Sequence, residues 1–375
     1  MDKVARQFIL FSMTPLRATP RQVFDAAAHV RAFPGGMIWL SQGAELLAHE
    51  AFGTIAYEAE YSKPVTTQTL YDIASLSKLF TATATLIATR EQAISIDTPL
   101  AHFLPECRST DKCGITIRQL LDHSSGIEIA VQALIATPTA TWISQIARAP
   151  LHATPGERVL YSCTNYFLLG RLVEMWTGES LDGFIHERLL NPLNMRRTCF
   201  RPLEQVDAGE IAPTEFIGET ERPWRGVVHD EAARTWEEEN GTACGNAGMF
   251  SVAADMAKFA QLWLDEGTCR GKQIVAVEDV RRALGETVRS QIYDQGLGWH
   301  LNVSNWMSPL APRGTAGHTG FTGPTMFIVP HTRHTCIILN NRVYPTRNGP
   351  NRMEFHRHIA EWLLSRHEPM TAPAT

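Results

Sequence analysis

The pattern of apolar positions changes in character twice along the chain. Near its start, the apolar runs 37–40 and 45–48 flank the turn-forming residues 41–44, which predicts a β-hairpin. Near its end, the runs 325–329 and 336–340 flank residues 330–334 and predict a second hairpin, preceded by a strand over 298–302. Apolar residues between the hairpins recur at helical spacing. The pattern therefore predicts an α+β protein with one antiparallel sheet, flanked by helices and assembled from both ends of the chain.

Several segments combine helical spacing with a stop signal such as Gly178, Gly267 or Asn191-Pro192. The predicted helices cover residues 21–30, 75–90, 117–123, 165–176, 181–190, 251–265, 278–284 and 353–366. The stretch 201–247 is polar and weakly periodic, so we expect a long irregular segment there.

The two kinds of segment predict two domains. Residues 1–70 together with 290–375 would form the sheet domain. Residues 71–289 would form a mainly helical domain inserted into it, with a functional site at the junction.

Composition narrows the class of protein. Of 375 residues, 44% are hydrophobic and 19% are charged, which is typical of a globular protein and excludes a disordered chain or a coiled coil. With 34 Lys and Arg against 39 Asp and Glu, the net charge is -5, so we expect no nucleic-acid partner. The seven cysteines form no CxxC pair, and we expect no metal and no cofactor. No apolar run is long enough for a membrane span or a signal peptide, so we expect a cytoplasmic protein.

The motifs of several common enzyme classes are missing. G-x-S-x-G, H-E-x-x-H, the P-loop and G-x-G-x-x-G do not occur. S-x-x-K occurs twice, at Ser75–Lys78 and at Ser109–Lys112. Ser109 lies in a polar stretch that we interpret as a solvated loop. Ser75 begins an apolar helix, where a serine and a lysine three residues apart face the same way and backbone N–H groups favour negative charge.

Two further segments carry candidate chemistry. Tyr161 precedes an apolar helix, and a tyrosine there could act as a general base if positive neighbours lowered its pKa. A half-buried Lys78 could likewise act as a base, since desolvation lowers the pKa of a lysine. His318, Thr319 and Gly320 lie just before a predicted strand, where a glycine permits close approach of another group. Each feature also fits a purely structural role.

Taken together, these segments resemble the serine β-lactamase-like superfamily. Ser75-Leu76-Ser77-Lys78, Tyr161-Ser162-Cys163 and His318-Thr319-Gly320 follow its order and approximate spacing. Residues 120–126 (LLDHSSG) and 245–251 (GNAGMFS) also resemble its segments. The similarity extends over roughly residues 25–365 and is closest to the branch of class C β-lactamases, D-aminopeptidases and family VIII carboxylesterases. It implies the β-lactamase/DD-peptidase-like fold.

The resemblance also implies roles for individual residues. Ser75 would be the nucleophile that forms an acyl-enzyme, and Lys78 would take its proton or hold the charge of the tyrosine. Tyr161 would be the general base and then the acid for the leaving group. Backbone N–H groups of Ser75 and Phe321 would form the oxyanion hole. Cys163, together with His318, Thr319 and Gly320, would contact the substrate, a small acyl donor.

The chain departs from the family pattern at two of these positions. Cys163 stands where the family has the Asn of Y-x-N, and a thiol is a weak hydrogen-bonding group. His318 replaces the Lys of K-T-G, and neutral imidazole holds a carboxylate less firmly than a cation does. We therefore expect a serine hydrolase or acyltransferase for a small ester, thioester or amide, with an amine or alcohol as an optional acceptor. A D-amino-acid-specific peptidase or weak β-lactamase, and a ligand-sensing pseudoenzyme, are the alternatives.

Overall fold

Both predicted hairpins belong to one antiparallel sheet. The computed structural model describes residues 18–216, 222–285, 288–289, 294–308, 311–312 and 314–365. Its strands are β1 (Gly35–Gln42), β2 (Glu45–Gly53), β3 (Tyr71–Asp72), β4 (Phe250–Ser251), β5 (Thr268–Cys269), β6 (Lys272–Gln273), β7 (Val288–Arg289), β8 (Asp294–Gln295), β9 (His300–Leu301), β10 (Ala316–Thr319), β11 (Thr325–Val329) and β12 (His334–Asn340). Eight of them form a sheet in the order β2-β1-β12-β11-β10-β9-β8-β7. Pairing of β1 with β12 joins the two ends of the chain, which confirms the predicted α+β fold.

Twelve α-helices are present in the described part of the chain. They are α1 (Pro20–His29), α2 (Ser77–Glu91), α3 (Ile117–Leu121), α4 (Val131–Ile135), α5 (Trp142–Arg148), α6 (Cys163–Thr177), α7 (Leu181–Ile185), α8 (Glu231–Asn240), α9 (Ala253–Leu264), α10 (Val277–Gly285), α11 (Ser304–Met307) and α12 (Met353–Leu364). Within the described ranges, none of them has the length and hydropathy that crossing a bilayer requires.

The sheet is buried on both faces. Because side chains alternate across a strand, Ile338 of β12 packs against one set of helices, while Ile337 and Leu339 pack against another. The first set includes α1 and α12, which contribute Phe24 and Phe355. The second face carries the large apolar core of the helical region. A strand that must be apolar on both sides has the near-continuous hydrophobic run that made β11 and β12 recognisable in the sequence.

Helix α2 lies at the centre of that second core. All its residues from Ser77 to Thr89 are buried, so it has no solvent-facing stripe. Small Thr and Ala side chains let neighbouring helices approach it closely. The hydroxyls of Thr83 and Thr85 remain satisfied because they donate to the carbonyls of Leu79 and Thr81, at 2.6 and 2.8 Å. The helix that carries the S-x-x-K lysine is therefore held rigidly from all sides.

Two expectations from the sequence are corrected here. The segment 201–247 is not irregular throughout, because residues 231–240 form α8 with Asp230 as its N-cap. The Ser109–Lys112 segment is not uniformly solvated: Ser109 is exposed, but Lys112 is fully buried. Its ammonium pairs with Asp111 at 2.6 Å and donates to the Ala149 carbonyl, so this lysine has a structural role. The predicted domain boundaries at 70/71 and 289/290 remain predictions.

Candidate active site

Ser75 and Lys78 meet as the i, i+3 spacing predicted. Ser75 lies in a single 3₁₀ turn, Ala74–Leu76, which runs directly into α2. The Lys78 ammonium donates to Ser75 Oγ at 3.0 Å, to Cys163 Sγ at 3.4 Å and to the Asn246 carbonyl at 2.9 Å. The three hydrogens of a protonated lysine thus match three acceptors. Ser75 itself is half-buried, so its hydroxyl stays reachable from solvent.

The protonation state of Lys78 differs from the expectation. Burial works to lower the pKa of Lys78, but attraction to the ionised forms of Cys163 and Tyr161 outweighs burial, and the pKa lies above its ordinary value. Attraction to an ionised Tyr161 or Cys163 thus favours the cationic form of Lys78, which has no lone pair with which to accept a proton. Of the two roles considered for it, holding the charge of the tyrosine fits this state and acting as the base does not.

Tyr161 is the group in a position to accept the serine proton. The centre of its ring lies 5.2 Å from the Lys78 ammonium, and interactions with Ser75 and Lys78 favour its ionised form. Burial raises the pKa of Tyr161 above its ordinary value, and the positive charge of Lys78 opposes this rise. The following residue, Ser162, caps α6 by accepting a hydrogen bond from the Thr164 N–H. This cap fixes Tyr161 and Cys163 at the N-terminus of the helix.

Three histidines surround the tyrosine. His123, His300 and His318 lie with their ring centroids 4.5, 5.8 and 6.0 Å from that of Tyr161. Burial lowers the pKa of all three, and that of His300 falls to about 3. His318 Nδ1 lies 2.8 Å from the Thr319 carbonyl, to which it donates. His318 is thus a neutral, oriented imidazole where the family pattern has a lysine cation.

The predicted oxyanion hole lies where the end of β10 meets the 3₁₀ turn. Gly320 packs so closely there that a Cβ atom would lie 2.6 Å from the Ile73 carbonyl oxygen. Ala74, the residue before Ser75, has a left-handed backbone with φ of 45°, which is strained for alanine. The loop that begins at Gly320 can thus pack against the 3₁₀ turn only because position 320 has no side chain, and the roles of Ser75 and Phe321 in an oxyanion hole remain predictions.

Asp72 organises this junction and was missed by the sequence analysis. One carboxylate oxygen accepts the Ala74 N–H at 2.8 Å, and the other accepts the His229 N–H at 2.9 Å. The Thr322 hydroxyl donates to the Asp72 backbone carbonyl at 2.7 Å. Asp72 thereby ties the strained turn to both flanking loops. In the sequence, only its position three residues before Ser75 indicated that Asp72 belongs to the site.

Two arginines hold the loop that follows β10. The Arg342 guanidinium lies 4.8 Å from the centre of the Phe321 ring and donates to the Phe321 carbonyl at 3.0 Å. Buried Arg352 donates to the carbonyls of Gly320 and Gly323 at 2.6 and 3.1 Å. Burial lowers the pKa of Arg352 to about 9. These hydrogen bonds fix three carbonyl groups of the loop, and both donors belong to the C-terminal segment 342–352.

The segment 245–251 is brought to the site by two very short strands. β3 and β4 pair Tyr71 with Ser251, and the Met249 N–H donates to Ser77 Oγ at 3.2 Å. Thr81 of α2 donates to the Gly245 carbonyl at 2.7 Å. These contacts place Asn246 beside Lys78. Within the described part of the chain, no cluster of three or more metal-ligating side chains occurs.

This geometry can be set beside known proteins. A family model described as Beta-lactamase matches residues 21–361. The chain belongs to the beta-lactamase family. Its relatives include a protein of Escherichia coli (strain K12) that bears the name D-alanyl-D-alanine carboxypeptidase, 31% identical over 324 residues that cover 77% of this chain and 74% of the relative. A protein of the same name from Salmonella schwarzengrund (strain CVM19633) is 31% identical over 320 residues, covering 76% and 72%.

Solved structures confirm the beta-lactamase fold. D-alanine carboxypeptidase AmpC from Burkholderia cenocepacia superimposes with a TM-score of 0.72 at 20% identity, covering 94% of this chain and 99% of that one. A class C beta-lactamase in complex with cefoxitin gives 0.72 at 17% identity, covering 93% and 98%. EstCE1, described as a hydrolase with promiscuous acyltransferase activity, gives 0.73 at 18% identity, covering 91% and 97%. The predicted resemblance and fold are thus confirmed, while the residue roles rest on the geometry.

Proposed function

We propose that this protein is a serine acyl hydrolase or acyltransferase that forms an acyl-enzyme on Ser75. One observation supports this above all: the Lys78 ammonium donates to Ser75 Oγ at 3.0 Å and lies 5.2 Å from the centre of the Tyr161 ring. A hydroxyl between a buried cation and a phenol is the arrangement that activated-serine chemistry requires.

The proposed mechanism has two halves. In the reactive form Tyr161 has released its proton to solvent and is a phenolate paired with the Lys78 cation. Ser75 Oγ attacks the carbonyl carbon of the acyl donor while its proton passes to that phenolate oxygen. Backbone N–H groups of Ser75 and Phe321 stabilise the resulting oxyanion. Tyr161 then protonates the leaving group, and the acyl-enzyme remains. Water, an alcohol or an amine attacks it in the second half, with Tyr161 again moving the proton.

The substrate is proposed to be a small ester or thioester. Positions 163 and 318 would recognise a peptide or a β-lactam in the family pattern. Here position 163 carries a thiol instead of an amide, and position 318 carries a neutral imidazole instead of a cation. Loss of a cation weakens the hold on a terminal carboxylate but leaves the acyl-transfer groups unchanged. Because relatives bear the names of carboxypeptidases and β-lactamases, a carboxypeptidase or weak β-lactamase activity is the second candidate.

A substrate panel tests the proposal. Short-chain p-nitrophenyl esters, D-alanyl amides and a chromogenic cephalosporin would be assayed with the wild type and the Ser75→Ala variant, with and without added alcohol or amine. We expect Ser75-dependent turnover of the esters, and acceleration by an acceptor would identify a transferase. Ester turnover that survives the substitution would refute the proposal, and turnover confined to the amides or cephalosporin would favour the second candidate.

A further inference from the structure

Arg352 is a buried cation that no carboxylate of the described residues neutralises. It is 7% exposed, and the neighbouring charge that acts on it is that of Arg342, which is also positive. Arg352 is the N-cap residue of α12, where the helix dipole favours negative charge and makes a cation more costly. An apolar side chain of similar size in place of a buried charge is often neutral or stabilising. Stability of the fold therefore does not explain the charge at this position.

The guanidinium of Arg352 is bonded to two carbonyl groups of the loop that follows β10. Nη2 donates to the Gly320 carbonyl at 2.6 Å, and Nε donates to the Gly323 carbonyl at 3.1 Å. The Gly323 N–H also donates to the Gly320 carbonyl, at 3.2 Å, so the loop closes on itself as a tight turn. Because the guanidinium is planar and its donors have a fixed geometry, it orients both carbonyls of this turn.

The Gly320 carbonyl belongs to the same peptide group as the N–H of Phe321. This peptide group is trans, so its N–H points away from its carbonyl and hence away from Arg352. No acceptor among the described residues takes that N–H. Hydrogen bonds in a chain polarise one another, and a charged donor gives the stronger bond. A cation on the Gly320 carbonyl therefore makes the Phe321 N–H a stronger donor toward negative charge.

We propose that Arg352 is a positioning residue that strengthens the Phe321 N–H as a donor of the oxyanion hole. The inference rests on the proposed function, in which this N–H stabilises the oxyanion formed when Ser75 attacks. Arg352 fixes the orientation of the peptide group between Gly320 and Phe321, polarises it, and attracts the developing negative charge through it. The buried cation thus costs stability in the free protein and lowers the free energy of the transition state, where the negative charge appears.

Two esters that differ only in the carbonyl atom test this role. In the thiono analogue of p-nitrophenyl butyrate, sulfur replaces the carbonyl oxygen, and sulfur is the weaker hydrogen-bond acceptor. The quantity measured is the kcat/KM of the oxygen ester divided by that of the thiono ester, relative to the same ratio for spontaneous hydrolysis. Arg352→Met keeps the approximate length of the side chain without its charge. It should lower this ratio roughly tenfold to a hundredfold, up to the cost of a lost oxyanion donor.

The controls separate this role from a structural one. Partial unfolding would lower turnover of both esters equally and leave the ratio unchanged. Arg352→Lys keeps a cation and should retain more of the wild-type ratio than Arg352→Gln, which keeps only a neutral donor. Arg357→Gln is the matched control, because it also removes a positive charge from α12 but one that pairs with Glu361 at 3.5 Å. It should leave the ratio at the wild-type value.

The outcomes for Arg352 and for the proposed function are distinguishable. Should Arg352→Met not fold, Arg352→Gln provides the same comparison. A wild type with no preference for the oxygen ester, an unchanged ratio in the neutral variants, or a lysine variant no better than the glutamine one would overturn the inference. Turnover that still depends on Ser75 would in that case leave the proposed function intact, whereas turnover that survives Ser75→Ala would remove both.

Discussion

The carboxylate of Asp72 should give the protein a pH-dependent stability that one substitution removes. Asp72 is 3% exposed and has no arginine or lysine partner among the described ion pairs; instead it accepts the N–H groups of Ala74 and His229. Burial raises the pKa of Asp72 from 3.8 to about 6, and the two N–H groups only partly oppose the rise. The folded protein therefore takes up a proton at a higher pH than the unfolded chain does.

The sign and size of the effect follow from linkage. Since the folded pKa is the higher one, the contribution of Asp72 to stability is fully present below the unfolded pKa and is lost as the pH rises through the folded pKa. At about 1.4 kcal/mol per pKa unit, the full loss is about 3 kcal/mol, of which about 2 kcal/mol falls between pH 4.5 and pH 8. In Asp72→Asn the side chain cannot ionise, and its NH₂ group faces the His229 N–H, which costs roughly 1–3 kcal/mol relative to the wild type with Asp72 protonated. By pH 8 the wild type has lost a similar amount through ionisation of Asp72.

Urea unfolding followed by tryptophan fluorescence at the two pH values measures this. We expect the free energy of unfolding of Asp72→Asn to lie below that of the wild type at pH 4.5 and close to it at pH 8. The difference between the two free energies should shrink by about 2 kcal/mol over this range. Other titrating groups, such as Asp122, affect both proteins equally and cancel in the difference. Thr322→Val, which removes a neighbouring hydrogen bond without touching the carboxylate, is the matched control and should keep the wild-type slope. A gap that does not change with pH would refute the reasoning.

Two further substitutions test the remaining geometry. Gly320→Ala places a Cβ 2.6 Å from the Ile73 carbonyl oxygen and should lower ester kcat/KM at least about a hundredfold, which is the cost of a lost oxyanion donor. Gly349→Ala is the control: its Cβ would have no atom closer than 3.6 Å, so kcat/KM should not change. Equal effects of the two substitutions would contradict the close packing at position 320. Cys163→Ala removes one of the three hydrogen-bond acceptors of Lys78 and should lower turnover of an apolar ester less than about tenfold. Complete loss of both turnover and the acyl adduct on Ser75 would instead indicate that Cys163 is the nucleophile.

Local patterns in the sequence were sufficient for much of the fold and for the first catalytic pair. The hairpins could be predicted because β11 and β12 are apolar on both faces and are separated by a turn. The Ser75–Lys78 contact followed from helical spacing within one turn. Helix α8 was missed because it buries little more than Ala232, Ala233 and Trp236 and is otherwise charged, so its apolar stripe is too short to stand out.

The supporting residues could not be predicted because their positions depend on long-range pairing. Asp72 and Asn246 reach the site through β3 and β4, two-residue strands about 180 positions apart that have no recognisable pattern of their own. The direction of the Lys78 pKa shift was wrong for a related reason. Burial alone could be anticipated from an apolar helix, but the ionisable Cys163 and Tyr161 that outweigh it lie on a different element.

The most direct test of the central claim is intact-protein mass spectrometry of the enzyme quenched during turnover of a p-nitrophenyl ester. The account predicts a mass increase equal to one acyl group, located on the peptide that contains Ser75 and absent from Ser75→Ala. An adduct on Cys163, or turnover with no Ser75-dependent adduct even under rapid quench, would contradict it.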